Sequence, residues 1–309
     1  MSSAWRRNVN ASLSQLTGYR LVKARKSDAA TSRNAAASKP VKPQTSLPKK
    51  HPSSAKKPIV LVNESAAPVP EKAPSSAASA ATVTPPFPRD FDETSREIIT
   101  AVGPWTMTSR DKLFGLITAV RYVTQHGIPG DIVECGVWRG GSMQAAARTL
   151  LSLDDTSRNL YLFDTYEGMP PPGHEDGRPD GTSASELLKS AAKTSKLWAV
   201  ASLDDVQQGF SEVGYPPERV HFIKGMVEDT VPDAAPEHIS ILRLDTDWYN
   251  STRHELEHLY PRLASGGVLI IDDYGYWRGS AKAVDEFIEA TGERLLLLRA
   301  STGRIAVKP

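Results

Sequence analysis

At 309 residues the chain has room for one large domain or two small ones. Its net charge of +1 conceals an asymmetry: residues 1–85 carry 14 Lys/Arg against 3 Asp/Glu, leaving 23 against 33 in the remainder, so a front of +11 precedes a body of −10. One cysteine excludes a disulfide framework and a cysteine zinc cluster, and no run of about 18 apolar residues is present to span a membrane.

The start shows no apolar signal core and no small-residue cleavage site, so a cytoplasmic location is expected. Within residues 1–27, Val9, Leu13 and Leu16 recur at near-helical spacing between Arg6, Arg7, Arg20, Lys23, Arg25 and Lys26. This is read as a basic amphipathic docking segment for a partner protein or an anionic surface such as the inner face of a bacterial membrane. A solvated tail and an Arg-rich transit peptide are the alternatives. Residues 28–85 are rich in Ala, Ser, Pro and Lys and cannot bury enough apolar surface to offset ordering entropy, so a disordered linker is expected, with Pro58–Val62 its only apolar island.

A globular domain is expected over 86–309. Ser109 is placed to cap a helix over 110–126, with Leu113, Leu116, Ile117, Val120 and Val123 on one face, and Gly127 stops it. Strand patterns then fall at Asp131–Val137, Asn159–Asp164, Arg219–Lys224, Ile239–Asp245 and Val268–Asp272. Helical patterns lie between and after them at 141–153, 184–193 (extendable to 209), 251–260 and 280–291. Arg294–Leu298, a Ser301-Thr-Gly turn and Arg304–Lys308 read as a closing hairpin. The expected fold is α/β: a doubly wound, mainly parallel seven-stranded sheet with a C-terminal antiparallel hairpin.

The chemistry gathers at strand ends. Two apolar runs finish in acids, Ile239–Asp245 followed by Asp247, and Gly267–Ile271 followed by Asp272 and Asp273. As neighbouring parallel strands their ends would lie about 5 Å apart, at the edge where open α/β sheets bind ligands. Carboxylates converging there repel unless a cation sits among them, and an all-oxygen set suits Mg²⁺ or a similar hard ion. Asp247, two residues past Asp245, shares its face and is read as a fourth ligand or a base.

The first strand runs into Glu134-Cys-Gly-Val-Trp-Arg-Gly-Gly-Ser142, whose glycines let the backbone approach a ligand. The spacing is neither the dinucleotide G-x-G-x-x-G nor a P-loop. It suits a nucleoside with a cationic amino-acid tail, which Glu134 would orient through backbone or water contacts. Asp164, about thirty residues on, is read as taking ribose hydroxyls, with a turn or cap role as its alternative. Gly225–Asp229 would cover an adenine ring. Cys135 is assigned to packing. The loop 168–182, rich in Pro and Gly, reads as a lid or specificity loop. Trp248, Tyr249, Tyr274, Tyr276 and Trp277 are candidates to stack on an acceptor.

Taken together, Thr106–Ser109, Gly130–Ser142, Phe163–Pro170, Glu228–Pro232, Leu244–Thr252 and Asp272–Gly275 resemble the macrocin O-methyltransferase family, over roughly residues 87–309. The resemblance implies a Rossmann-like class I methyltransferase that uses S-adenosylmethionine and a divalent cation, typically Mg²⁺, to methylate a hydroxyl of a sugar or glycosylated small molecule or glycan. Carried over by motif, Glu134, Gly136 and Ser142 contact the methionine part, Asp164 the ribose, and Gly225, Met226, Val227 and Glu228 the adenine. Asp245, Asp272 and Asp273 match the metal positions, and Asp245, Asp247 and His254 are the catalytic candidates. The more distantly similar catechol O-methyltransferase has a lysine base where this chain has Trp248, so that assignment does not transfer. The family weakly suggests a homo-oligomer. A phenol methyltransferase and a non-catalytic scaffold working through the basic tail are the rival readings. Nucleic acid is disfavoured, because the tail interleaves few aromatics with its charges and the body is acidic.

Overall fold

A computed structural model describes residues 86–192 and 194–309. The docking segment 1–27, the linker 28–85 and Lys193 lie outside the described residues.

The first element is one the periodicity reading passed over. Helix α1 (Glu93–Val102) starts at Asp92, whose carboxylate accepts from Ser95 N at 3.0 Å and Ser95 Oγ at 2.6 Å. It buries Ile98, Ile99 and Val102. An Asp-x-x-Ser start ahead of an apolar stripe was the available signal. Arg121, on α2 (Arg110–Gln125), grips the same carboxylate through both terminal nitrogens at 2.7 and 2.9 Å, tying the two helices together. Ser109 occupies the N-cap of α2 as expected but makes no side-chain capping bond.

The expected alternation follows: β1 (Asp131–Cys135), α3 (Gly141–Ser152), β2 (Leu160–Asp164), α4 (Ala184–Ser190), α5 (Leu203–Ser211), β3 (Val220–Lys224), the single turn α6 (Val227–Thr230) and β4 (Ile239–Leu244). Then come α7 (Tyr249–Leu259), β5 (Leu263–Ile271), α8 (Arg278–Thr291), β6 (Leu298–Ala300) and β7 (Gly303–Val307). The seven strands run in the order β3-β2-β1-β4-β5-β7-β6, parallel except where β7 pairs antiparallel with β5 and β6.

Successive side chains leave a strand on opposite faces, which explains two cores. Ile132, Leu162, Phe222, Ile241 and Ile270 pack on one face with Val120, Met143 and Leu150 of α2 and α3. Val133, Phe163, Ile223, Leu242 and Ile271 pack on the other with Leu256, Leu259 and Val284 of α7 and α8. Cys135 belongs to the second cluster, free and buried, in line with its packing assignment.

Three boundaries differ from expectation. The helix extendable to 209 is broken: Ala199 is left-handed (φ 45°), and Ser195 and Ser202 each accept a backbone N–H at a fresh helix start. The first hairpin strand lies at Leu298–Ala300 rather than Arg294–Leu298, because only Leu298–Ala300 find partners on β7. Strand β5 begins five residues early, with Leu263 already paired to Ile239 before the register shifts. Among the described residues no helix is long and apolar enough to cross a membrane.

Asp92→Ala removes the α1 cap and the α1–α2 tie, so urea denaturation at pH 7 should show a loss of about 1–2 kcal/mol. The bonds from Arg121 and Ser95 hold this carboxyl well below its usual range. A depressed pKa contributes stability above the unfolded value of about 4 and loses it as pH falls. The difference between parent and variant should therefore be full at pH 5–7 and shrink below pH 4.

Candidate active site

Between β1 and β4 the winding reverses, and a cleft of about 620 Å³ opens there at the carboxyl ends of the strands. Its floor is made by backbone contact. Gly136 donates to Phe163 O at 2.8 Å, and Asp245 N donates to Cys135 O at 2.8 Å. A Cβ on Gly136 would lie 2.1 Å from Asp245 O, and its φ is +81°, so no other residue fits this crossing. Gly140 (φ +78°) then turns the chain into α3 as a left-handed N-cap.

Asp164, at the end of β2, does what a turn acid does. Its Oδ2 accepts from Val137 N (2.8 Å) and Trp138 N (3.0 Å), and its Oδ1 from Tyr166 N (2.7 Å). It also lines the cleft, so the two roles foreseen for it are compatible. Burial raises its pKa against the pull of those three bonds. Gly225, Met226, Val227 and Glu228 line the cleft after β3, alongside Gly136 and Trp138.

Two expected cofactor contacts sit elsewhere. Glu134 is 1% exposed and faces the guanidinium of Arg243 rather than the cleft. Ser142 is buried behind Thr108, with their hydroxyls 3.3 Å apart, and it is Thr108 that reaches the wall. Glu134 leaves β1 on the same face as Ile132, toward α2 and α3, and Ser142 is buried in the first turn of α3, so both side chains lie behind the floor that the backbone at 136 forms.

Arg243 is the residue the sequence reading missed. It sits inside the fully buried strand β4 and carries three acids, Glu134, Asp272 (2.5 Å) and Asp245 (2.7 Å), plus a bond to Thr108 Oγ1 at 3.1 Å. Lys112, from α2, reaches the same place, pairing with the Asp272 carboxylate and donating to its carbonyl at 2.9 Å. A lone arginine in an otherwise apolar parallel strand was the available signal for Arg243. Nothing in the local sequence of α2 distinguished Lys112.

Asp245, Asp272 and Asp273 come together as expected from adjacent strands: each offers an oxygen, and these lie within 4.8 Å of one another. Burial raises Asp245 to about 6 despite Arg243. Burial and then the Asp245 charge raise Asp247 to about 7, and hydrogen bonds to Asp273 and Trp277 oppose this. Asp273 is pushed well above the carboxylate range by burial and by its acidic neighbours. Burial would raise Asp272 too, but Arg243 and Lys112 outweigh it and hold that carboxyl below its usual range.

The donor set fits a hard divalent cation. Five acids (Glu134, Asp245, Asp247, Asp272, Asp273) converge, and among the described residues Arg243 and Lys112 are the cations paired with them. The Oδ2 of Asp273 is buried without a hydrogen-bond partner, a costly state that an ion would relieve.

His254 does not join this group. Its Nε2 lies 3.0 Å from Val231 O, an acceptor, so that nitrogen donates, and the ring packs against His258 on α7. It is absent from the cleft wall, and the helix position has carried it away from Asp247. Of the aromatic candidates, Tyr276 and Trp277 line the cleft. Trp248 supports Trp277 edge-on at 5.1 Å, while the hydroxyls of Tyr249 and Tyr274 bond Glu286 and Asp285 on α8.

The loop after β2 is docked over the cleft, where Gly168, Met169 and Pro170 join the wall. Asp176 clamps it, accepting from Tyr249 N at 2.8 Å and Gly173 N at 2.7 Å. Trp248 Nε1 donates to Pro170 O at 3.0 Å, and Arg278 N to Gly177 O at 2.8 Å. Ser301 and Thr302, from the β6–β7 turn, complete a side that the sequence reading had left out.

In sequence and fold the chain is similar to known O-methyltransferases. The family model described as "Macrocin-O-methyltransferase (TylF)" matches residues 72–295. Over 169 residues the chain is 37% identical to 8-demethyl-8-(2,3-dimethoxy-alpha-L-rhamnosyl)-tetracenomycin-C 4'-O-methyltransferase of Streptomyces olivaceus, covering 55% of this chain and 62% of that protein. It is 36% identical over 169 residues to mycinamicin III 3''-O-methyltransferase of Micromonospora griseorubida, covering 55% and 65%. The chain thus spans a little under two thirds of the length of these curated relatives. Among solved structures, the O-methyltransferase NovP superposes with a TM-score of 0.58 at 29% identity, covering 66% of this chain and 82% of NovP.

Arg243→Met keeps the volume and strands Glu134 and Asp272. Removing one partner of a buried ion cluster costs about 3–5 kcal/mol, so chemical denaturation should show a loss of that size.

Proposed function

The chain belongs to the macrocin O-methyltransferase family, and from that premise we propose that it transfers a methyl group from S-adenosylmethionine to a sugar hydroxyl of a glycosylated small molecule or glycan, with Mg²⁺ or a similar ion. The observation that carries the reading is the convergence of Asp245, Asp272 and Asp273 beside the Gly136 floor of one cleft. The Streptomyces olivaceus relative, named as an O-methyltransferase of a rhamnosyl-tetracenomycin, supports the sugar acceptor.

When bound, S-adenosylmethionine supplies an electrophilic methyl on sulfur. Asp245, Asp272 and Asp273 would hold a divalent ion, which would supply the charge to acidify and orient a neighbouring hydroxyl. The chain's own residues do the rest. The side-chain-free Gly136 admits the donor close to the strand ends, and Asp164 keeps the turn rigid through Val137 and Trp138. Gly225–Glu228 wall the nucleoside end. Asp247, whose carboxyl is raised to about 7, takes the hydroxyl proton as the acceptor oxygen bonds to the methyl carbon and the carbon–sulfur bond breaks, its electron pair leaving on sulfur as neutral S-adenosylhomocysteine. Tyr276, Trp277 and the docked Met169–Pro170 segment press the acceptor into line and exclude water. Holding two reactants in line contributes on the order of 7–11 kcal/mol at best.

The test is a methyl-transfer assay on the full chain with labelled S-adenosylmethionine, Mg²⁺ and a panel of glycosides and phenolic diols. Sugar hydroxyls should be labelled in preference to phenols, and chelation should stop the reaction. Asp273→Asn keeps the shape but removes one charge, and it should lower turnover by about a hundredfold or more while donor affinity stays within a few-fold. Parental turnover in that variant would remove the metal from the mechanism.

A further inference from the structure

One buried carboxyl has no part in the scheme above. Glu255, on α7, is fully buried, and its Oε1 accepts the hydroxyl of Thr246 at 2.9 Å. Its Oε2 is buried without a hydrogen-bond partner. No cation faces it. Burial, and after it the charges of Glu228, Asp245 and Asp247, raise its pKa well above the ordinary carboxylate value, while the Thr246 bond pulls the other way. An ion without a partner is not kept in such a place, so the side chain is the neutral acid.

What Glu255 holds is informative. Thr246 is the middle residue of Asp245-Thr246-Asp247, the turn that presents the two acids of β4, and it lines the cleft between them. The turn is strained. Asp247 has φ +68°, a left-handed conformation that a non-glycine residue adopts only when its surroundings impose it. Trp248 N closes the turn on Thr246 O at 2.8 Å. Asp245 is held from the side by Arg243, and Asp247 by Asp273 and Trp277; the Thr246 hydroxyl anchors the middle of the turn, and the buried acid is its receptor.

We propose that Glu255 is a positioning residue for methyl transfer: from beneath the cleft it holds Thr246, and through it the strained turn that aims Asp245 and Asp247 at the reacting hydroxyl. This rests on the function proposed above. Because the acid works without its charge, glutamine is an adequate replacement, keeping the acceptor oxygen in place. Alanine is not, and neither is removal of the hydroxyl from the other side by Thr246→Val.

Two readouts on the full chain test this: Mn²⁺ affinity, followed by electron paramagnetic resonance, and the kinetics of methyl transfer. E255Q should keep both within about two-fold of the parent, whereas E255A and T246V should each weaken Mn²⁺ binding and lower kcat by about 10- to 100-fold with donor KM little changed. The double variant should be no worse than either single change, since both break one link. A lowered melting temperature in E255A, with parental Mn²⁺ affinity and kcat, would reduce Glu255 to a packing role and overturn the proposal. So would E255Q being as damaged as E255A. A parent that binds Mn²⁺ but methylates nothing defeats the proposed function, and the Mn²⁺ titrations then decide the role of Glu255 alone. A parent that binds no Mn²⁺ overturns the positioning role together with the ligands it serves.

Discussion

The arrangement depends on one buried guanidinium. Arg243 bonds acids from β1, β4 and β5 at once, so the three central strand ends that build the cleft share a single charge centre. Burial makes each partner costly alone, and the fork of the guanidinium offsets several at a time. The Glu134 end ties the cluster to the glycine floor, two residues before Gly136. The Asp272 end ties it to the acidic group, with Lys112 as second clamp. Donor floor and acidic centre are in this way parts of one electrostatic unit.

That unit is deliberately unbalanced. Arg243 and Lys112 hold Asp272 ionised, while Asp245, Asp247 and Asp273 are driven toward protonation by burial and mutual repulsion. Under the proposed function, an ion bound among such raised carboxyls would displace their protons, the linkage expected where ligands must ionise to bind. Backbone strain collects at the same place. Of the six described non-glycine residues with positive φ, Trp138, Ala199, Asp247 and Ser301 line the cleft. Strain persists where the surroundings over-determine it, and here they do so around a ligand space.

The open side is handled by docking a loop. Asp176 accepts the backbone N–H that starts α7, and the loop hydrogen-bonds Trp248 and the first residue of α8, so the segment over the acidic centre is held by two helix starts. Trp248, at the position where the catechol enzyme would have a lysine, serves this support and the packing of Trp277.

Much of this was legible in one dimension, for local reasons. Parallel strands buried on both faces read as apolar runs, their ends must meet the carboxyl edge, and acids at those ends must converge; Asp245, Asp272 and Asp273 follow from that alone. Glycines where the chain crosses itself are similarly exposed to view, as at Gly136. Side-chain direction and long-range pairing are not. The sequence by itself determined the order of the strands, the run of alternating strands and helices from β1 onward and the acidic strand ends, because periodicity and strand termini are properties of neighbouring residues. Only the tertiary structure decided that Glu134 turns beneath the floor, that His254 faces Val231, and that Arg243, Lys112 and Glu255 serve the cleft. Those assignments depend on which side chains, separated by 9 to 160 positions, share one buried volume.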